Sequence, residues 1–185
     1  MITEAQLIEK LSSLADPLER RLAFCALLAR AMKDMGFLEP VIVGGHAVEF
    51  YTAGGYTTTD VDLVAASEAL EQILPNWGFR HLGRHWIHDD LGIAVEAPGS
   101  RLEGDRERVT EVATSAGAAY IIGLEDLIID RICAFAHWQS EADRQWAALL
   151  LRLFRNRIDV GYLRQRAKLY DVAEEVEKLL EETSQ

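Results

Sequence analysis

The sequence predicts an α/β chain, with strands and helices alternating through its middle and helices at both ends. Three observations carry this. Short apolar, β-branched stretches such as Val41-Ile42-Val43 and Val61-Asp62-Leu63-Val64 are bounded by glycine, threonine and proline, the pattern of strands closed by turns. Before Gly36 and after Gly123, apolar residues instead recur every three or four positions, which is the helical period. With 49% apolar residues in 185, the chain has enough for one core carrying a helical appendage.

Taken in order, Thr3 to Leu14 reads as an amphipathic helix with Leu7, Ile8, Leu11 and Leu14 on one face. Thr3 and Gln6 have the spacing of a capping box. Asp16-Pro17 opens a second helix, with Pro17 in the first turn where its missing N–H does no harm, and Gly36 stops it. Val41 to Val43 is a strand ended by Gly44-Gly45. His46 to Ala53 forms about two turns of helix, and Gly54-Gly55 can halt it. Thr57 to Thr59 lead into the strand Asp60 to Val64. Ser67 caps a helix that Pro75 and Gly78 end. Phe79–Leu82 and Arg84–His88 read as strand pieces, Asp89–Gly92 as a turn, and Ile93–Glu96 as a strand stopped by Pro98-Gly99. Arg101–Arg108 is a charged, exposed loop, and Val109–Ala113 with Ala118–Ile122 forms a hairpin. Helices follow: LEDLIIDRICAFAHW buries Leu124, Leu127, Ile128, Ile132 and Phe135, Ser140 caps a helix reaching Asn156, and Asp159 and Asp171 cap the last two. Three regions result: N-terminal helices over 1–36 packing on the core, the core over 37–123, and a helical region over 124–185.

The chemistry concentrates after Val43. Along the strand Asp60–Val64, side chains alternate between faces, so Asp60 and Asp62 share one and Val61 and Leu63 the other, with the two aspartate Cα atoms roughly 6.5–7 Å apart. Carboxylates that close repel each other. A divalent cation resolves the conflict, and an oxygen-rich site suits magnesium.

Strand, Gly44-Gly45, helix and then Asp60-x-Asp62 on the next strand resembles the signature of the nucleotidyltransferase superfamily, the polymerase-β-like fold. Within it the chain is most similar to small AbiEii-toxin-related nucleotidyltransferases, whose segment after the core resembles LEDLIIDRICAFAHW. The resemblance implies a mixed twisted sheet flanked by helices, with a nucleotidyltransferase-like core and a helical C-terminal region. It also implies transfer of a nucleoside monophosphate from a nucleoside triphosphate to an acceptor hydroxyl on RNA or a tRNA end, a protein or a small molecule. Two magnesium ions would be held by Asp60, Asp62 and Glu96, the last standing where relatives carry a third carboxylate. Glu96 would complete the metal site or act as base on the acceptor hydroxyl. Gly44, Gly45, His46 and Thr59 would bind the nucleotide, the glycines admitting the triphosphate close to the backbone and the helix start presenting its N–H groups. An antitoxin or a second copy of the chain is the implied protein partner. The competing reading is a non-catalytic nucleotide- or partner-binding member of the same fold, such as a toxin–antitoxin component.

The chain departs from the family pattern in places. The fourteen residues from His46 to Thr59 make a slightly long gap. Tyr56 stands where an arginine is frequent, Gly45 replaces a serine, and Glu96 is one methylene longer than the usual aspartate. Arg131 matches a basic position of relatives, where it would contact a phosphate or a carboxylate; a surface or helix-pairing arginine is the competing reading.

The formal charge of −11, from 30 acidic and 19 basic residues, disfavours broad binding to nucleic acid. Arg152, Arg155, Arg157, Arg164, Arg166 and Lys168 form a basic concentration that helical spacing scatters over several faces. A solvated helix pair is the default there, and contact with an RNA end the alternative. Cys25 and Cys133 lie in apolar helical runs and read as buried free thiols of a reducing cytoplasm. No signal peptide and no apolar run of about 18 residues is present, so no membrane span is expected. In a hairpin, the rings of His81, His85 and His88 would not face one way, which argues against zinc. His85 or Trp86 at a hairpin lip could touch a base.

Overall fold

The computed structural model describes residues 2–183. The chain divides into two compact units, Met1–Leu102 with Arg106–Ile122, and Glu103–Asp105 with Gly123–Gln185. In order, the elements are α1 (Glu4–Ser12), α2 (Pro17–Asp34), β1 (Val41–Ile42), α3 (Gly44–Tyr51), β2 (Asp60–Val64), α4 (Ser67–Ile73), β3 (Arg80–Leu82), β4 (His85–His88), β5 (Ile93–Gly99), β6 (Thr110–Thr114), β7 (Gly117–Ile121), α5 (Leu124–Trp138), α6 (Glu141–Leu153), α7 (Val160–Leu169) and α8 (Ala173–Thr183).

The first unit is a seven-stranded mixed sheet in the order β3-β4-β5-β2-β1-β7-β6. β1 runs antiparallel to β2 and parallel to β7, while β2 runs parallel to β5. The mixed sheet with flanking helices is the architecture expected from the sequence. Val61, Leu63, Ile93 and Val95 are buried. They lie on alternate positions of β2 and β5, so the opposite face of those strands carries the polar residues. α2 packs against β6 and β7, and α3 against β2. The aromatic cluster Phe24, Trp77 and Phe79 is closed by His88, whose ring meets Phe79 edge-on at 5.1 Å.

Local signals explain most boundaries. Thr3 and Gln6 form the capping box at α1, and Asp16 caps α2 ahead of Pro17. Several expectations need correction. α3 begins at Gly44 rather than His46, so the glycines are its first residues instead of a loop before it. Ala66, not Ser67, is the N-cap of α4, and no side chain bonds there. β5 runs on through Pro98 to Gly99. Pairing with β4 stops at Glu96, and the β2 register shifts between Asp62 and Val64. Pro98 thus sits beside an irregularity with one strand edge open, where a missing N–H is tolerated.

In the second unit, Asp159 caps α7 through the Tyr162 N–H. Ser140 precedes α6 without a side-chain bond, and the helix ends at Leu153, short of Asn156. α8 begins at Ala173, two positions after Asp171, which takes φ +57°, a left-handed conformation that aspartate tolerates, after the end of α7. Arg131 bonds Asp130 and Asp143, pairing α5 with α6 rather than standing ready for a phosphate. Arg164 pairs with Glu177 and Arg166 with Asp126, so these two members of the basic concentration have acidic partners. Cys25 is buried, but Cys133 is only partly so; burial and Asp130 push its thiol up to about 11. No helix among the described residues is long and apolar enough to cross a membrane.

Candidate active site

Strand register assembles the site. Asp62 pairs with Glu96 across β2 and β5, and Glu96 pairs with His85 across β5 and β4. Residues opposite one another in a ladder project to the same face, and Asp60, two positions before Asp62, joins them. The result is a half-buried group in which one ligand atom each of Asp60, His85 and Glu96 lies within 4.8 Å of the other two. His85 Nε2 is 3.4 Å from Glu96 Oε2 and 3.8 Å from Asp60 Oδ2. Arg84 Nε, on a largely exposed side chain, is 3.3 Å from the same Glu96 oxygen. Thr58 donates its hydroxyl to Asp60 Oδ1 at 2.7 Å, fixing the carboxylate from the segment that leads into β2.

Asp62 is not one of the three whose ligand atoms converge; it faces the glycines. The Gly45 N–H donates to its Oδ2 at 3.0 Å, and the Val43 N–H to its main-chain oxygen at 2.9 Å. Gly44 takes φ +58°, and a Cβ there would come within 2.3 Å of Asp62 Oδ2. Conformation and space both demand glycine at that position. Gly45 has Tyr56 against it: an added Cβ would lie 3.1 Å from the tyrosine ring. The Gly45 N–H at the start of α3 is thus engaged by Asp62.

His46 and Thr59 stand apart from the acidic group. The His46 side chain is fully buried, and among the described residues neither ring nitrogen makes a hydrogen bond. Burial, followed by the Arg21 charge, lowers its pKa to about 3, so the ring is neutral and sealed from any nucleotide. Only its main chain remains for that purpose. Thr59 is exposed, and it is Thr58 that bonds an aspartate. Glu49, three residues after His46, is buried and receives Arg21 Nη2 at 2.6 Å on both oxygens. Its Oε2 also accepts the Thr58 N–H at 3.5 Å.

Sequence reasoning left His85 out of the metal-site set. The signal was present: the turn Asp89–Gly92 pairs His88 with Ile93, and counting back three positions on each side brings His85 opposite Glu96. The other two histidines go elsewhere, His81 stacked on Trp86 at 4.5 Å and His88 buried with Nδ1 accepting the Leu91 N–H. As expected, the three rings do not converge.

A sheet-borne acidic group beside a helix that opens with two glycines has the layout of a nucleotidyltransferase fold, and the comparisons agree. The model of a family described as "Nucleotidyltransferase of unknown function (DUF6036)" matches residues 27–184, and the chain belongs to that family. It is similar in structure to an antigenic nucleotidyltransferase-like protein from Paracoccidioides brasiliensis, with a TM-score of 0.59 and 16% identity over 90% of this chain and 93% of that one. At that identity the likeness speaks to the fold. No curated protein matches the chain.

Proposed function

We propose that the chain transfers a nucleoside monophosphate from a nucleoside triphosphate to an acceptor hydroxyl, with Asp60, Asp62 and Glu96 as the carboxylates that hold divalent metal. The observation that carries this reading is the register placing Asp60, Asp62 and Glu96 on one face of β2 and β5, with Asp62 seated against Gly44 and Gly45. The donor set fits a hard or borderline cation, since Asp60, Glu96 and His85 bring their ligand atoms within 4.8 Å of one another. When bound, such a cation neutralises phosphate charge and stabilises the attacking and leaving oxygens.

The chain's own residues supply position. Thr58 holds Asp60 in one orientation, and the β2–β5 ladder sets Glu96 opposite Asp62. Release of the Gly45 N–H from Asp62 would leave that donor to a phosphate oxygen at the start of α3. In the transfer, the acceptor oxygen bonds the α-phosphorus, and the bond from that phosphorus to the bridging oxygen breaks. Pyrophosphate departs, and the hydroxyl proton passes to a carboxylate of the group. Positioning and charge compensation contribute most to such steps.

The test is incubation with labelled nucleoside triphosphates, magnesium and cell extract. Label entering RNA, protein or a small molecule with the wild type, but not with Asp60→Ala plus Asp62→Ala, supports the reading and identifies the acceptor class. An antitoxin is a candidate partner on the sequence resemblance alone, checked by coexpression against growth arrest. No transfer and no metal-dependent binding of any triphosphate would refute the enzyme.

A further inference from the structure

The geometry points to His85 as a nitrogen ligand of the metal site, giving the ion that Asp60 and Glu96 would share, apart from Asp62, a two-carboxylate, one-imidazole donor set that favours a first-row transition ion such as manganese over magnesium. This rests on the nucleotidyltransferase reading above and deepens it. Three separate strands contribute: Asp60 from β2, His85 from β4 and Glu96 from β5. The pairing of His85 with Glu96 directs the imidazole and the carboxylate to the same face, so their meeting follows from backbone register rather than from a chance side-chain rotamer.

Distances fit an ion. Donors bound at about 2.1–2.2 Å from one cation lie about 3.0–4.3 Å from each other. His85 Nε2 is 3.4 Å from Glu96 Oε2 and 3.8 Å from Asp60 Oδ2, and the three-residue group closes within 4.8 Å. A movement of a few tenths of an ångström brings all three into range. Arg84 competes for the same Glu96 oxygen at 3.3 Å, but its side chain is 73% exposed and leaves for water at little cost.

Chemistry then sets the preference. Magnesium demands oxygen ligands and gives up water reluctantly, whereas imidazole suits first-row transition ions. Manganese accepts carboxylate and imidazole together and serves phosphoryl chemistry in the same role. Glu96 has one methylene more than an aspartate, which gives its carboxylate added reach toward an ion shared with His85.

The experiment uses the full-length protein without nucleotide, so that no base nitrogen contributes. Manganese binding is followed by electron paramagnetic resonance titration, and nitrogen coordination by electron spin-echo modulation. Magnesium affinity is measured by competition, and ion-free melting confirms that His85→Gln is folded. The expected result is nitrogen modulation in the wild type that vanishes in His85→Gln. Manganese binding should weaken about tenfold, and magnesium binding less than about threefold. Asp60→Asn should weaken both ions alike. Wild-type binding of manganese without nitrogen modulation, modulation that persists in His85→Gln, or unchanged ion affinities in that variant would overturn the role of His85 and leave the carboxylate site standing. Failure of the wild type to bind either ion would overturn both.

Discussion

Asp60, His85 and Glu96 lie half-exposed on the sheet face, while Arg21, Glu49 and His46 are buried and tie α2 to α3. Both groups mix acids with basic side chains, yet they behave oppositely. In the open group, two carboxylates share an imidazole and an exposed guanidinium, and each can exchange partners with solvent or ligand. In the closed group, the guanidinium of Arg21 meets both oxygens of Glu49, and the His46 ring is held neutral. Charge left near water remains available for chemistry, and charge sealed inside becomes a fixed strut. Substitutions should therefore separate function from stability according to which group they strike.

The sharpest break in the comparison is expected at Asp60. Asp60→Asn removes a carboxylate from the open group while keeping its shape. Transfer activity should fall about a thousandfold, the several kcal/mol that a lost clamp on phosphate removes. Thermal melting without ions should hold or rise, because Glu96 loses a like-charged neighbour. A melt lowered as much as the activity would mean that Asp60 is structural.

Glu49→Gln should do the reverse. It leaves Arg21 buried without its counter-charge, which costs about 3–5 kcal/mol of stability by urea unfolding. Arg21→Met combined with Glu49→Leu should recover most of that, since a buried pair is often replaceable by apolar side chains of similar volume. If the double variant is as unstable as the single, the pair contributes a specific geometry and not merely compensated charge.

These two groups differ in how far the sequence disclosed them. That Asp60 and Asp62 share a face was legible because strand alternation is a local fact; Glu96 was drawn from the family resemblance, and the register that sets it opposite Asp62 and His85 could have been counted across the turn Asp89–Gly92. The positive φ of Gly44 and its closeness to Asp62 agree with a tight strand-to-helix turn, although the helix starts two residues earlier than the periodicity implies. The Arg21–Glu49 pair lay beyond reach. Its members are 28 positions apart on different helices, and each looks alone like a residue of a solvated face. Caps failed in the same manner: Ser67 and Asp171 have the right side chains, but Ala66 is the N-cap of α4, and Asp171 takes a left-handed φ of +57° two positions before α8 begins at Ala173.

The next effect is in pH. The folded His46 pKa of about 3 lies below its ordinary 6.5, so the unfolded chain binds a proton over that window and the folded chain does not. The contribution is therefore present in full above pH 6.5 and is lost as pH falls toward 3. The slope is at most about 1.4 kcal/mol per pH unit, or about 2 kcal/mol between pH 6.5 and 5. His46→Gln should lack this component, so its stability should depend less on pH across that interval than the wild type's. Parallel curves for the two proteins would show that the ring already reaches water.

The smallest effect is expected at Thr58, where the two groups meet. Its N–H goes to Glu49 in the closed group, and its hydroxyl goes to Asp60 in the open one. Thr58→Val keeps the backbone link and deletes only the hydroxyl, while Thr58→Ser keeps both. The valine variant should lose about 1 kcal/mol of stability, the net value of one hydrogen bond, and should weaken ion binding because Asp60 is no longer oriented. The serine variant should behave as wild type in both measurements. If valine leaves ion binding unchanged, Asp60 is positioned by β2 alone and the closed group has no influence on the open one through this residue.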